Sequence, residues 1–341
     1  MTGERKRRKI IYKILRAQLH YLELVYPPIS NQESEWLKND KESLDWFKRS
    51  KIYFIGQRAE SKFIFEDENL VLTKLSLSGK INFSFKSVEN EMSGSIDLVE
   101  LFKAHDIPLT EFGDLDIELG DKLIRIWKTS GEPEVIDWFT TEKFLYNLSY
   151  KPTFFSGFEN YRDFTKYHLH YIGISKKNDN FSRLVIKPHD KRLRILSNEY
   201  PQNKGSRITD EMILFFFDID SLEIKQYLQP TDFNELEKNE LEDRVRIVKD
   251  AEKAFVKILD TNYNEVKFKD YPNYPDTLIN STVERYSFSI NEDIEFITDS
   301  TTIYGARESY GMSKDQADFI FIDKETGSVE LMKIKDGNIE S

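Results

Sequence analysis

The spacing of apolar positions divides the chain into stretches of different period. Ile11, Ile14/Leu15, Leu19 and Leu22 recur at threes and fours, which predicts an amphipathic helix over 1–25 ending at the Pro27-Pro28 break. A second helical stretch covers about 31–48. From Lys51 the period becomes two. Ile52/Phe54, Phe63/Phe65, Leu70/Leu72 and Ile81/Phe83/Phe85, the last alternating with Asn82, Ser84 and Lys86, predict half-buried strands, with Ser78-Gly79 as a turn between two of them. Further strands are expected near 114–119 and 121–128. In the latter Leu123, Arg125 and Trp127 share one face and Ile124 and Ile126 the other, and a short helix is expected over about 134–148.

The second half reads as a strand over about 166–175, a helix over 181–197 interrupted at Pro188, a strand over 211–218, an acidic link, and a helix over 240–260. Residues 283–336 return to strands, with Glu325-Thr326-Gly327 as a hairpin turn between Phe319-Ile320-Phe321-Ile322 and Val329-Glu330-Leu331. No internal repeat or low-complexity tract interrupts this order. The fold class that follows is α+β. A basic helix (1–25) precedes an antiparallel β-rich domain with helices (26–150), and a domain over 151–341 combines a small central sheet with a C-terminal β-hairpin.

Composition narrows the chemistry. The 341 residues are 39% hydrophobic, 13% aromatic and 32% charged, enough apolar surface for two folded units rather than a disordered chain. With no cysteine, disulfides, thiolate nucleophiles and thiolate-bound zinc are excluded, and five histidines make a histidine cage for a metal improbable. No apolar run spans a bilayer and the start shows no signal-peptide core, so no membrane contact and a cytoplasmic location are expected. The net charge is −11, yet residues 1–25 hold seven Lys/Arg against Glu4 and Glu23. Such a basic edge on a docking helix is either solvated or in contact with an anionic surface.

Helix 240–260 carries the most informative residue. Leu241, Val245, Val248, Phe255 and Leu259 form an apolar ladder, and Glu252 falls on it. A carboxylate placed there must be paired with a cation, hydrogen-bonded or bound to a metal, and position alone leaves these open. Its context is a strand ending in His170-Tyr171-Ile172-Gly173-Ile174-Ser175, a helix bearing Phe181-Ser182-Arg183-Leu184 and His189, a third strand, then Glu252 and, twelve residues later, Asn264.

In this order the residues resemble the GIY-YIG nuclease superfamily, in a divergent bacterial branch, over about residues 160–275. The resemblance implies a GIY-YIG-like α/β domain and a metal-dependent endonuclease, with a possible place in defence against foreign DNA. On this basis Glu252 holds one divalent ion, Mg²⁺ or Mn²⁺, against the scissile phosphate, and Arg183 grips that phosphate. Tyr171 positions or deprotonates the attacking water, Asn264 ties the loop after the metal helix into the site, and His189 transfers a proton or contacts phosphate. The chain departs from the family pattern in one respect: no first Gly-Ile/Val-Tyr tripeptide lies on a strand shortly before Tyr171. Tyr167, four residues earlier on the same strand, supplies the nearest phenol.

Phosphodiester hydrolysis needs a cation on the phosphate oxygens and a group that orients water, and these residue types meet that need. Residues 171–195 add Lys176, Lys177, Lys187, Lys191, Arg192 and Arg194 to Arg183 against only Asp179 and Asp190, a basic stretch suited to nucleic acid, DNA before RNA. The bland alternative pairs these cations with the acidic 232–243 stretch. Individually, Tyr171 also fits a core strand tyrosine, Arg183 an ion-pair partner of Glu252, and Asn264 a turn cap. Asp210 and Glu211 fit exposed carboxylates or a second acidic contact, while His168 and His170 are expected on the opposite strand face. Two other functions remain beside the nuclease: a degenerate member that binds nucleic acid without cutting, and a non-enzymatic protein-interaction module, with a protein partner reached through the N-terminal domain.

Overall fold

The computed structural model describes residues 14–66, 78–107, 115–129, 134–175, 179–187, 189–227, 244–281, 283–307, 317–335 and 338–340. Among them the strands in chain order are β1 (Ile14–Leu24), β2 (Ile29–Ser30), β3 (Ile52–Gln57), β4 (Lys62–Ile64), β5 (Lys80–Lys86), β6 (Glu91–Asp97), β7 (Leu115–Leu119), β8 (Leu123–Lys128) and β9 (Glu134–Thr140). They continue as β10 (Phe155–Gly157), β11 (Lys166–Ile174), β12 (Met212–Tyr227), β13 (Arg285–Ile290), β14 (Glu295–Ile297), β15 (Thr302–Tyr304), β16 (Phe319–Asp323), β17 (Ser328–Lys335) and β18 (Asn338–Glu340).

A mixed sheet of eleven strands dominates, in the order β15-β14-β11-β3-β12-β1-β13-β16-β17-β18 with β2 paired to β12. The α+β class stands, but the central sheet is large where a small one was expected. It draws strands from 14–57 as well as from 166–340. The span 58–165 sits between two adjacent strands, β3 and β11, and builds a four-stranded sheet, β10-β6-β5-β4, and a three-stranded sheet, β7-β8-β9.

The helix expected over 1–25 is corrected over 14–24, which forms β1 in the middle of the sheet; residues 1–13 lie outside the described residues. β1 runs antiparallel to β12, Ile14 opposite Tyr227 through Leu24 opposite Phe217, and parallel to β13. Gln18, His20, Tyr21 and Leu22 are all buried, so both faces of the strand are covered. Spacing of apolar residues then carries no helical information, and burial overrides it. The helix expected over 134–148 is half a strand: β9 pairs with β8, and the chain turns helical only at Thr140, whose hydroxyl caps Thr141–Ser149 by accepting from Lys143 N–H at 3.3 Å. Leu70 and Leu72 lie outside the described residues. The hairpin at Glu325-Thr326-Gly327 joins β16 and β17 with Gly327 at φ +69°, a left-handed conformation glycine adopts without strain.

The long helix spans Arg244–Leu259 and packs on the sheet through Ala251, Ala254, Phe255, Val256 and Leu259, all fully buried with Phe54 and Phe288. This buried arc differs from the ladder read from spacing. Val245 is 58% exposed, and Leu241 lies outside the described residues. Two alanines carry little hydrophobic weight in a pattern, yet they allow the closest approach to the sheet. Asp250, unremarked in the pattern, is fully buried and accepts from Leu278 N–H at 2.7 Å, and burial pushes its carboxyl up to about 6. Glu252 is half-buried, unlike the fully buried residues of this arc. Among the described residues no helix is long and apolar enough to cross a membrane.

Candidate functional site

β11 delivers Tyr171-Ile172-Gly173 beside the antiparallel strand β3, with Gly173 opposite Tyr53 and Tyr171 opposite Ile55. A Cβ at Gly173 would stand 2.6 Å from Tyr53 Oη and 2.7 Å from Tyr171 Cε1, so only glycine leaves room for both phenols. The two rings lie 6.0 Å apart, and His189 sits 5.9 Å from the first and 5.7 Å from the second. Three groups from three elements thus share one cluster.

His189 caps the helix Asp190–Asn198, its Nδ1 accepting from Arg192 N–H at 3.2 Å, while its Nε2 lies 3.0 Å from Tyr53 Oη. Burial, then the charges of Arg183 and Arg192, lower the ring to about 4, so it is neutral at physiological pH. With Nδ1 occupied as an acceptor, the hydrogen bonds assign the proton to Nε2, which donates to Tyr53.

Arg183 stands in the helical turn Ser182–Ile186 and donates through Nη1 to the carbonyl of Ile174, the residue after Gly173. Burial raises the Tyr53 phenol well above its ordinary value, with the neighbouring Tyr171 and Glu252 adding to the rise and Arg183 opposing it. Burial also raises Tyr171, followed by the Glu252 charge, whereas the Tyr53 hydroxyl and Arg183 favour its ionised form. Glu252 and Arg183 therefore act electrostatically on the same two phenols. Tyr53 is fully buried and Tyr171 is 8% exposed, so the solvent-facing rim belongs to Tyr171 and the half-buried Arg183 and Glu252.

Asn264 clasps the strand from the loop after the long helix. Its Oδ1 accepts from Ile172 N–H at 2.9 Å, its Nδ2 donates to Ile172 O at 2.8 Å, and Thr261 Oγ1 donates to Oδ1 at 2.6 Å. Both hydrogen-bonding positions of the middle residue of Tyr171-Ile172-Gly173 are thereby tied to the helix that carries Glu252. Asn264 serves as this buried tie, not as a surface contact for nucleic acid.

Several expected site residues lie elsewhere. A β-bulge between Leu169 and Tyr171 breaks the two-residue alternation, so Tyr167 turns to the opposite side. There it is buried against Phe215 and donates to Glu142 Oε2 at 2.9 Å, with Arg58 holding the other carboxylate oxygen. Arg192 is buried and structural: its Nε donates to Asn31 Oδ1 at 2.7 Å and its guanidinium also reaches Leu184 O at 3.1 Å and Ser34 Oγ at 3.0 Å. Lys191 and Arg194 both pair with exposed Glu265, Arg194 at 2.9 Å; the acidic 232–243 stretch lies outside the described residues. Lys187 is exposed. Lys176, Lys177 and Pro188 also lie outside the described residues. Glu211 is fully buried and closes a loop by accepting from Gln57 Nε2 at 3.0 Å and Asn203 N–H at 2.7 Å.

Tyr53 is the residue that sequence reasoning missed. Its signal was present in Lys51-Ile52-Tyr53 on a strand of period two, but the 58–165 span separates it from Tyr171 along the chain. A cleft of about 590 Å³ opens at Ile174 and Ser175, at the end of the strand that carries Tyr171, with Lys48, Lys51, Arg244 and Lys249 against Asp179 in its lining. Among the described residues, no three or more His, Asp or Glu are grouped to hold a metal. Glu252 is a carboxylate whose charge bears on both phenols. Oxygen-only ligation with few protein ligands suits Mg²⁺ or Mn²⁺, which retain water and complete their shell with substrate phosphate. No family model, curated protein or solved structure matches this chain.

Proposed function

We propose that the protein is a metal-dependent endonuclease of the GIY-YIG type, whose first tyrosine is Tyr53 on β3. The observation that carries this reading is the juxtaposition of Tyr53, Gly173 and Tyr171 on antiparallel strands, with His189 bonded to Tyr53 and Arg183 and Glu252 bearing on both phenols. It supplies the element that was missing from the sequence pattern.

Each side chain has a role that follows from its position. Tyr171, the phenol nearest solvent, orients the attacking water and, in its ionised form, accepts the proton that water loses, returning to the neutral phenol. The ionised form is favoured by the Tyr53 hydroxyl, itself oriented by the Nε2 proton of His189, and by Arg183. Arg183 faces the charge that develops on the phosphate oxygens. Glu252 would hold the divalent ion, which supplies Lewis-acid neutralisation of the scissile phosphate. Nucleic acid, DNA before RNA, approaches along the basic cleft of Lys48, Lys51 and Lys249.

The test is cleavage of DNA and RNA substrates with Mg²⁺ or Mn²⁺. Glu252→Ala and Tyr171→Phe are each expected to slow single-turnover cleavage by about 100-fold or more. No cleavage under any condition, or undiminished cleavage by Glu252→Ala, rejects the reading. Salt-dependent binding without cleavage would leave the degenerate, binding-only member in its place.

A further inference from the structure

The four tryptophans of the chain converge on one surface cleft. Trp36 and Trp46 come from the two short helices Glu33–Trp36 and Lys41–Phe47, and Trp127 and Trp138 from β8 and β9, which lie in a different sheet system. The cleft measures about 460 Å³. Trp36 is 62% exposed and Trp46 is 41% exposed. Trp127 and Trp138 are half-buried, and two large rings left in water on the wall of a concave surface are a feature of binding sites rather than of solvated surface.

Two further observations identify what such a surface takes. First, its rings already hold cations. The Arg49 guanidinium lies 4.2 Å from the Trp46 ring centre, Arg125 lies 5.1 Å from Trp127, and Lys143 Nζ lies 3.5 Å from Trp138. Among the described residues no cation covers Trp36, the most exposed of the four. Second, the walls are acidic: Glu33, Asp40 and Glu42 line the cleft against one arginine, Arg125. Glu33 is buried and enters no ion pair among the described residues; burial, with the nearby Glu142 charge contributing, pushes its carboxyl up to about 8. A buried carboxyl that ionises only when a cation approaches thus stands in the same cleft as an uncovered indole.

We propose that this cleft docks an arginine-bearing peptide segment of a partner protein, with a guanidinium stacked on Trp36 and its charge directed to Glu33. A planar guanidinium satisfies both walls at once, since it stacks on an aromatic face while its N–H groups reach a carboxylate. The proposal is independent of whether the chain cleaves nucleic acid.

Because every tryptophan lines the cleft, intrinsic fluorescence of the full chain reports on it directly. Titration with an acetylated, amidated hexa-arginine peptide is expected to give a saturable change in tryptophan emission, with hexa-lysine binding more weakly. Glu33→Gln, which removes the acid and its capacity to ionise beside a bound cation, and Trp36→Ala, at an exposed position, are each expected to weaken hexa-arginine binding by about tenfold. Absence of a saturable change overturns the proposal. So does equal affinity in both variants, or a saturable response to oligothymidylate or to a neutral oligosaccharide with none to hexa-arginine.

Discussion

Gly173 has no side chain, and the space a Cβ would fill belongs to two phenols. A methyl group there would press on Tyr53 Oη at 2.6 Å and on the Tyr171 ring at 2.7 Å, in a layer already packed by His189. Gly173→Ala should therefore destabilise the fold by about 1–3 kcal/mol through overpacking. Displacing a phenol by about 1 Å should slow cleavage by about 100-fold. Thermal unfolding and single-turnover rates check the two effects separately, and unchanged rates would sink the placement of the phenols. His189 contributes a pH dependence of known sign. Its folded value, about 4, lies below the ordinary 6.5, so the fold favours the neutral ring. That stability is fully present above pH 6.5 and is lost as the pH falls towards 4. His189→Asn keeps a capping oxygen but does not titrate. Unfolding midpoints of wild type and variant should therefore converge, or cross in favour of the variant, as the pH is lowered through that window. Parallel curves would show that His189 is not held neutral. Tyr171, Arg183, Glu252 and Asn264 could be placed on or beside elements from the sequence because local periodicity defines the strand and helices that carry or precede them. Tyr167 was misread because one bulged residue reverses every side chain beyond it.

The long helix shows what a pattern of apolar spacings weighs and what it omits. It placed Val245 and Phe255 on one face, but in the fold Val245 is 58% exposed and Phe255 is fully buried between Phe54 and Phe288. Phe255→Ala is expected to cost about 3–5 kcal/mol. Val245→Ala should stay within about 0.5 kcal/mol of wild type. Denaturant unfolding of the two variants tests the assignment, and similar costs would return the helix to the face read from spacing. The buried arc runs through Ala251 and Ala254, small residues whose contribution is close approach rather than hydrophobicity. Glu252 stays half-buried on this helix, and its charge bears on both phenols. The basic stretch of 171–195 divides in the same way. Arg192 faces inward and ties the helix to Asn31 and Ser34, whereas Lys191 and Arg194 face outward to Glu265.

Over the whole molecule, one sheet gathers strands from both ends of the chain around a span that folds its own two sheets. β3 and β11 are neighbours in that sheet although residues 58–165 lie between them, and the phenol pair exists only because of this adjacency. The same scale governs β1, whose helical spacing of Ile14, Leu19 and Leu22 yields to burial between β12 and β13. It also governs the tryptophan cleft, whose rings come from two helices and two strands with no common motif. By itself the sequence determined the α+β class, the alternation of β8, the late hairpin, the order of Tyr171, Arg183, Glu252 and Asn264, and the chemistry excluded by the lack of cysteine. Those properties rest on local periodicity and residue type, which are written along the chain. Only the tertiary structure decided the partner of Tyr171, the side to which Tyr167 points, the burial of Arg192 and the strand state of β1. Each of these depends on contacts between distant segments, and a contact of that kind leaves no period in the sequence on either side of it.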